Sequence, residues 1–221
     1  MGSVPSTYSG TTDLLTLLVL LTEFAMLRAP LLRSQIRLYA FQSLVVTVLA
    51  IVVAASRHVP DLYALAAVTF VLKVVLVPGL VLRLMRKADT DLAGSSVLGV
   101  ASMILIAILV SVFGFVTITT LHLHSDVLPT PTLAISVAIV LVAFVLIILR
   151  QDVVSQAVGF FSLENGVDVA SLVVAAGLPL LVDVAFLFDL LVAVVVFGVI
   201  MRVHHGRSNT LSTHDMDRLR G

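Results

Sequence analysis

The sequence predicts an all-α integral membrane protein of about seven transmembrane helices, with the N-terminus outside and the C-terminus cytoplasmic. Three observations carry that reading. Hydrophobic residues make up 60% of the 221 positions and charged residues only 12%, about half the roughly 25% of a soluble domain. Seven apolar stretches reach or approach the roughly 20 residues a helix needs to cross the hydrocarbon core. The basic residues then alternate from connector to connector.

The stretches fall near residues 12–27, 38–55, 62–84, 97–121, 133–149, 153–176 and 178–201. Pro30, Pro60, Pro129 with Pro131, and the pair Gly177 and Pro179 punctuate the connectors. The first stretch is short and holds Glu23. Residues 1–12 are rich in Ser, Thr and Gly and lack the positive leader of a secretory signal, so the first stretch is expected to stay as a helix.

Arg28, Arg33 and Arg37 are assigned to the first connector, Arg83, Arg86 and Lys87 to the third, and Arg150 to the fifth. Arg202, Arg207, Arg218 and Arg220 follow the seventh stretch, whereas the alternate connectors hold Arg57 alone. The positive-inside rule places the basic connectors in the cytoplasm, which requires an odd number of spans. Three units are expected: 1–125 with four N-terminal spans, 126–203 with three, and a polar cytoplasmic tail at 204–221. No internal repeat stands out.

Inside the last two stretches lie four carboxylates: Glu164 and Asp168, then Asp183 and Asp189. An Asp at the centre of a membrane helix costs roughly 2.5–3.5 kcal/mol on insertion, so four together cost on the order of 10 kcal/mol. Residues that expensive face a bundle interior or a wet cavity and handle ions or protons. Glu164 and Asp168, four apart, share a helix face about 6 Å apart in height. Counted from the turn at Gly177, Glu164 and Asp189 fall at similar depth near the midplane. Asp168 and Asp183 lie a turn or more closer to the outside.

Lys73 is the single basic residue deep within a span. It suits a proton relay or a counter-ion, and Pro78, five residues on, is expected to kink its helix. Glu23 is expected to pair with Arg28, an accessory place in a proton chain being the alternative. Asn165 and Gly166 read either as a loosened turn beside Glu164 or as a close-packing site.

Several classes are excluded. The chain has no cysteine, so it holds no disulfide, thiolate-bound cluster or cysteine nucleophile. Net charge is zero and the basic residues keep to short connectors, which argues against nucleic-acid binding. The histidines lie in connectors and tail without metal-ligand spacing, and no phosphate loop or nucleophile elbow occurs. No metal, cofactor or catalytic centre is expected in this chain.

The run Gly159-Phe-Phe-Ser-Leu-Glu164-Asn165-Gly166, followed by Gly177-Leu-Pro-Leu-Leu-Val-Asp183 and Asp189, resembles the membrane component E of hydrogenase-4-type complexes. These are formate hydrogenlyase-like assemblies related to the group 4 NiFe hydrogenases. The Lys73–Pro78 span with Arg83 and Arg86 is similar to that family too. The last three helices, the Arg150 connector and the ending Arg-Leu-Arg-Gly resemble the small K subunit of respiratory complex I. Asp183 stands where a Glu is more usual, one methylene shorter.

The resemblance implies a non-catalytic membrane-arm subunit of a complex-I-related oxidoreductase in a prokaryotic plasma membrane. Its carboxylates Glu164, Asp189, Asp183 and Asp168, with Lys73, would serve proton or sodium translocation coupled to electron transfer. NiFe and iron–sulfur centres would reside in partner subunits: antiporter-like membrane proteins and a peripheral redox arm. Two alternatives stand beside it, a stand-alone ion-coupled transporter and a purely structural assembly subunit whose acids join helices.

Overall fold

The computed structural model of the chain describes residues 6–88, 96–121 and 130–174. These residues are almost wholly helical and form no strand, only an isolated bridge between Ser96 and Arg150. The helices are α1 (Ser6–Arg28), α2 (Leu32–Arg57), α3 (Asp61–Thr69), a π-helical segment (Phe70–Leu76), α4 (Val77–Ala88), α5 (Val100–Thr120), α6 (Thr130–Leu149) and α7 (Val153–Val174).

Among the described residues, five helical stretches are long and apolar enough to cross a membrane: Gly10–Arg28, Leu32–Arg57, Leu62–Arg83, Val100–Thr120 and Pro131–Leu149. They match the first five predicted from hydropathy, and the architecture is that of an all-α membrane protein. The sixth predicted stretch is α7, whose 22 residues carry Glu164 and Asp168. The seventh lies outside the described residues, as do Asp183, Asp189 and the tail.

Two features differ from the sequence reading. Helix α2 begins at Leu32, six residues before the expected 38, so Arg33 and Arg37 occupy its first turns rather than a connector. Both are exposed there, as arginines at a membrane end usually are. The polar start had masked the helix because hydropathy reports burial in lipid, not backbone geometry. The second difference is Pro78. Instead of a simple kink, the turn ahead of it widens into the π segment, with the Val77 amide donating five residues back to the Leu72 carbonyl. A proline offers no amide and crowds the carbonyl four residues earlier, and a wider ladder relieves that clash.

At the core, two helical hairpins stand side by side. Helices α1 and α2 turn through Ala29–Leu31, and α6 and α7 turn through Arg150–Asp152. Side-chain bonds between α1 and the α6 chain, Thr132 to Asp13 and Arg150 to the Leu27 and Ala29 carbonyls, link residues 119–123 apart. Those between α2 and α7 link residues 120–123 apart. A constant separation along two helices means that they run parallel and in register. Helix α1 therefore lies parallel to α6 and α2 to α7, and both short connectors meet at one end.

The bundle is layered. One apolar cluster, towards the connector end, gathers Met26, Leu27, Ile36, Tyr39, Val77, Val81, Leu146, Val158 and Phe161. The other gathers Val19, Val46, Leu49, Val53, Leu62, Ala66, Ile139, Val169 and Val173. Between them, on α1, α2, α7 and the third span, falls a short polar interval, whereas α6 passes through both clusters with only Val140 and Leu141 between Ile139 and Val142. Helix α1 has Glu23 there, α2 has Gln42 and Ser43, the π segment has Lys73, and α7 has Ser162, Glu164, Asn165 and Asp168. All but Asp168 are buried.

Candidate functional site

The polar layer has two centres on adjoining faces of α7. The first is built on Lys73. Its side chain extends from the π segment and its Nζ lies 3.0 Å from Glu164 Oε1 and 2.5 Å from Asp168 Oδ2. Glu164 and Asp168 are one helical turn apart, so a single ammonium spans both. Lys73 is 1% exposed, so its ammonium stays inside the bundle rather than snorkelling to the interface as a span lysine often does. The Asp168 side chain retains 21% exposure against 9% for Glu164, so the site opens towards its Asp168 side.

The widened ladder positions this lysine. An extra residue in one turn rotates everything after it by about 100° relative to a straight α-helix. Tyr39 packs on the connector side, its ring 5.6 Å from that of Phe161. The two rings, both about 1% exposed, belong to the apolar cluster on the connector side of the polar layer.

Within this group one ammonium faces two carboxyls. With all three ionised, it carries one net negative charge inside an apolar bundle. A bound proton or small cation would neutralise the excess.

The second centre joins α1, α2 and α7. Glu23 is fully buried and does not pair with Arg28, which is exposed. Instead Ser162 Oγ bonds to Glu23 Oε1 and lies 2.6 Å from Gln42 Oε1. Asn165 Nδ2 donates to Gln42 Oε1 and Ser43 Oγ, each at 3.0 Å. Gln42 Nε2 donates across to the Val19 carbonyl at 3.3 Å. The expectation for Glu23 failed because helix pitch turns it inward while Arg28, five residues on, turns out.

Asn165 thus serves in a network rather than in a loosened turn, and α7 runs unbroken through Gly166. Gly166 is a close-packing site: a Cβ there would stand 2.8 Å from Val140 Cγ2 and 3.1 Å from the Val140 amide nitrogen. Gly159, two turns earlier, meets Ile147 in the same manner. These glycines draw α6 against α7 and so fix the height of the acids.

Ser162, Gln42 and Ser43 were not singled out from the sequence. A signal existed. Gln35 and Gln42 are seven apart, as are Ser155 and Ser162, and the two Gln–Ser pairs form matching rungs at 2.7 and 2.6 Å. A seven-residue polar step shared by two apolar helices is the mark of parallel helices packed along one seam. Arg150 also does more than bias orientation. It is buried and donates to the Leu27 and Ala29 carbonyls at 2.8 and 3.2 Å, closing the exposed carbonyl end of α1. Burial pushes its guanidinium downward from the usual range, and neighbouring Asp152 opposes that shift.

An uncharacterized protein of Mycobacterium tuberculosis, Rv0085, is 37% identical over 79 residues, covering 35% of this chain and 34% of that protein. The chain thus matches about a third of its relative's length. No family model matches the sequence, and no solved structure matches it.

Proposed function

We propose that this chain is a non-catalytic membrane-arm subunit of a complex-I-related, hydrogenase-type oxidoreductase, and that it passes protons through a layer of intramembrane carboxyls. The observation that carries the reading is the mid-span group of Lys73, Glu164 and Asp168, one buried ammonium held between two acids. A bundle that needed only adhesion would gain nothing from the uncompensated charge, since a neutral or apolar contact is as stable.

In this reading the chain has seven spans, N-terminus outside, in a prokaryotic plasma membrane. The collection of Arg28, Arg33, Arg37 and Arg150 at one end of the bundle supports that orientation. A proton arriving from the outer side is received at Asp168, the more open acid. Lys73 shifts its pairing from one carboxyl to the other as each is neutralised, and the proton moves on towards Asp189 and Asp183 in the seventh span. Redox centres and the antiporter-like neighbours belong to partner subunits.

The test has two stages. Mild-detergent purification of the natively expressed chain should recover antiporter-like and iron–sulfur partners by mass spectrometry. Glu164→Gln in that assembled complex should leave electron transfer in place and abolish proton release. Recovery of the chain alone with ion exchange in liposomes would establish a stand-alone transporter instead. Full coupling in assembled Glu164→Gln complexes would leave the acids a purely structural part.

A further inference from the structure

We infer that Glu23 is a second proton-binding site within the membrane, occupied by a proton and separate from the Lys73 group. The hydrogens around Ser162 require it. Ser162 Oγ stands within hydrogen-bond distance of two acceptor oxygens, Glu23 Oε1 and Gln42 Oε1. A serine hydroxyl has one hydrogen, so it can satisfy only one of them.

The amides cannot supply the missing hydrogen. Reversing Gln42 would set its oxygen against the Val19 carbonyl, which now accepts from Nε2 at 3.3 Å. Reversing Asn165 would set its oxygen against Gln42 Oε1, which now accepts from Nδ2 at 3.0 Å. Both assignments are therefore fixed by their surroundings. With Glu23 ionised, one of the two Ser162 contacts brings oxygen against oxygen without a proton. With Glu23 protonated, it donates to Ser162, Ser162 donates to Gln42, and each contact carries one hydrogen.

The surroundings agree. Glu23 is 0% exposed, and among the described residues no basic side chain pairs with it. The groups facing it from α2 and α7 are the neutral Gln42 and Ser162, with Asn165 behind them. The charged residues of α7, Glu164 and Asp168, bond to Lys73 instead. Glu23 Oε2 and Asn165 Oδ1 are buried acceptors without a hydrogen-bond partner, so the carboxyl and the far end of the chain each keep an oxygen able to receive a donor. Proton occupancy of Glu23 stands on this geometry. Its use as a proton reserve for the Lys73 group rests on the function proposed above.

Infrared spectroscopy of the purified full chain in lipid tests the site directly, with no need of the parent complex. A protonated-carboxyl band is expected at neutral pH, shifting on transfer into deuterium oxide. It should be lost in Glu23→Gln, which keeps the shape of the side chain, and move to higher frequency in Ser162→Ala, where Glu23 loses its acceptor. Glu164→Gln should leave it in place. A wild-type spectrum without the band, or a band that survives Glu23→Gln unchanged, would overturn the assignment. A band lost in Glu23→Gln but deaf to deuterium would reduce Glu23 to a fixed structural acid and overturn the site as one that exchanges protons. Each result is read whether or not the complex translocates protons.

Discussion

Lys73 decides the electrostatics of the bundle because its ammonium is the counter-charge that the structure sets between Glu164 and Asp168. Removing one partner of a buried ionic group costs about 3–5 kcal/mol, since the remaining charge loses its compensation without regaining water. Lys73→Met is therefore expected to lower the stability of the detergent-solubilised chain by about that amount. Pairing it with Glu164→Gln and Asp168→Asn should recover much of the loss. Chemical or thermal unfolding followed by circular dichroism reads both, and an unaltered midpoint in Lys73→Met would contradict the pairing. Arg150 works by a different route, through the carbonyls of α1. Arg150→Met should loosen the first hairpin and speed amide exchange at Ala29–Leu32, leaving the Lys73 group intact.

Helices α6 and α7 approach closely because glycine stands where any side chain would intrude. At Gly166 an added Cβ meets not only movable methyls of Val140 and Ile139 but the Val140 backbone at 3.1 Å. Gly166→Ala should therefore destabilise the chain by about 1–3 kcal/mol, the usual range for overpacking a filled site. Gly79 meets nothing within 4 Å, and Gly79→Ala should be neutral or slightly stabilising. A comparison of the two melting temperatures separates crowding from helix propensity. The third span owes its geometry to a different irregularity. Pro78 forces the ladder ahead of it to widen, and Lys73 sits in the middle of the widened stretch.

Across the whole bundle, two apolar clusters enclose a polar layer, with both hairpin connectors at one end. The chain has no native cysteine, which makes engineered pairs clean reporters. Asp13→Cys with Thr132→Cys should crosslink on oxidation, because the two native side chains bond at 2.9 Å. Asp13→Cys with Arg150→Cys should not, since Arg150 bonds to the opposite end of α1. The reverse outcome would mean an antiparallel arrangement of the hairpins. Helix α5 has little buried surface, and its Leu105, Leu109, Val112, Phe113 and Val116 face outward, as lipid-contacting residues do.

Much of this was determined by the sequence alone. The membrane class, the positions of five apolar spans, the basic end and the shared face of Glu164 and Asp168 follow from composition and helix pitch, which are local properties. Local geometry could not choose partners. An apolar helix surface suits lipid and neighbouring helix alike, so hydropathy carries no record of which helices meet. That Lys73 reaches Glu164 and Asp168, that Glu23 turns from Arg28 to Ser162, and that the two hairpins stand parallel were decided by the tertiary structure. The reason is physical: a buried polar group must find its partner inside the bundle, and here that partner lies about 90 to 140 residues away, set in place by glycine contacts and a widened helical turn.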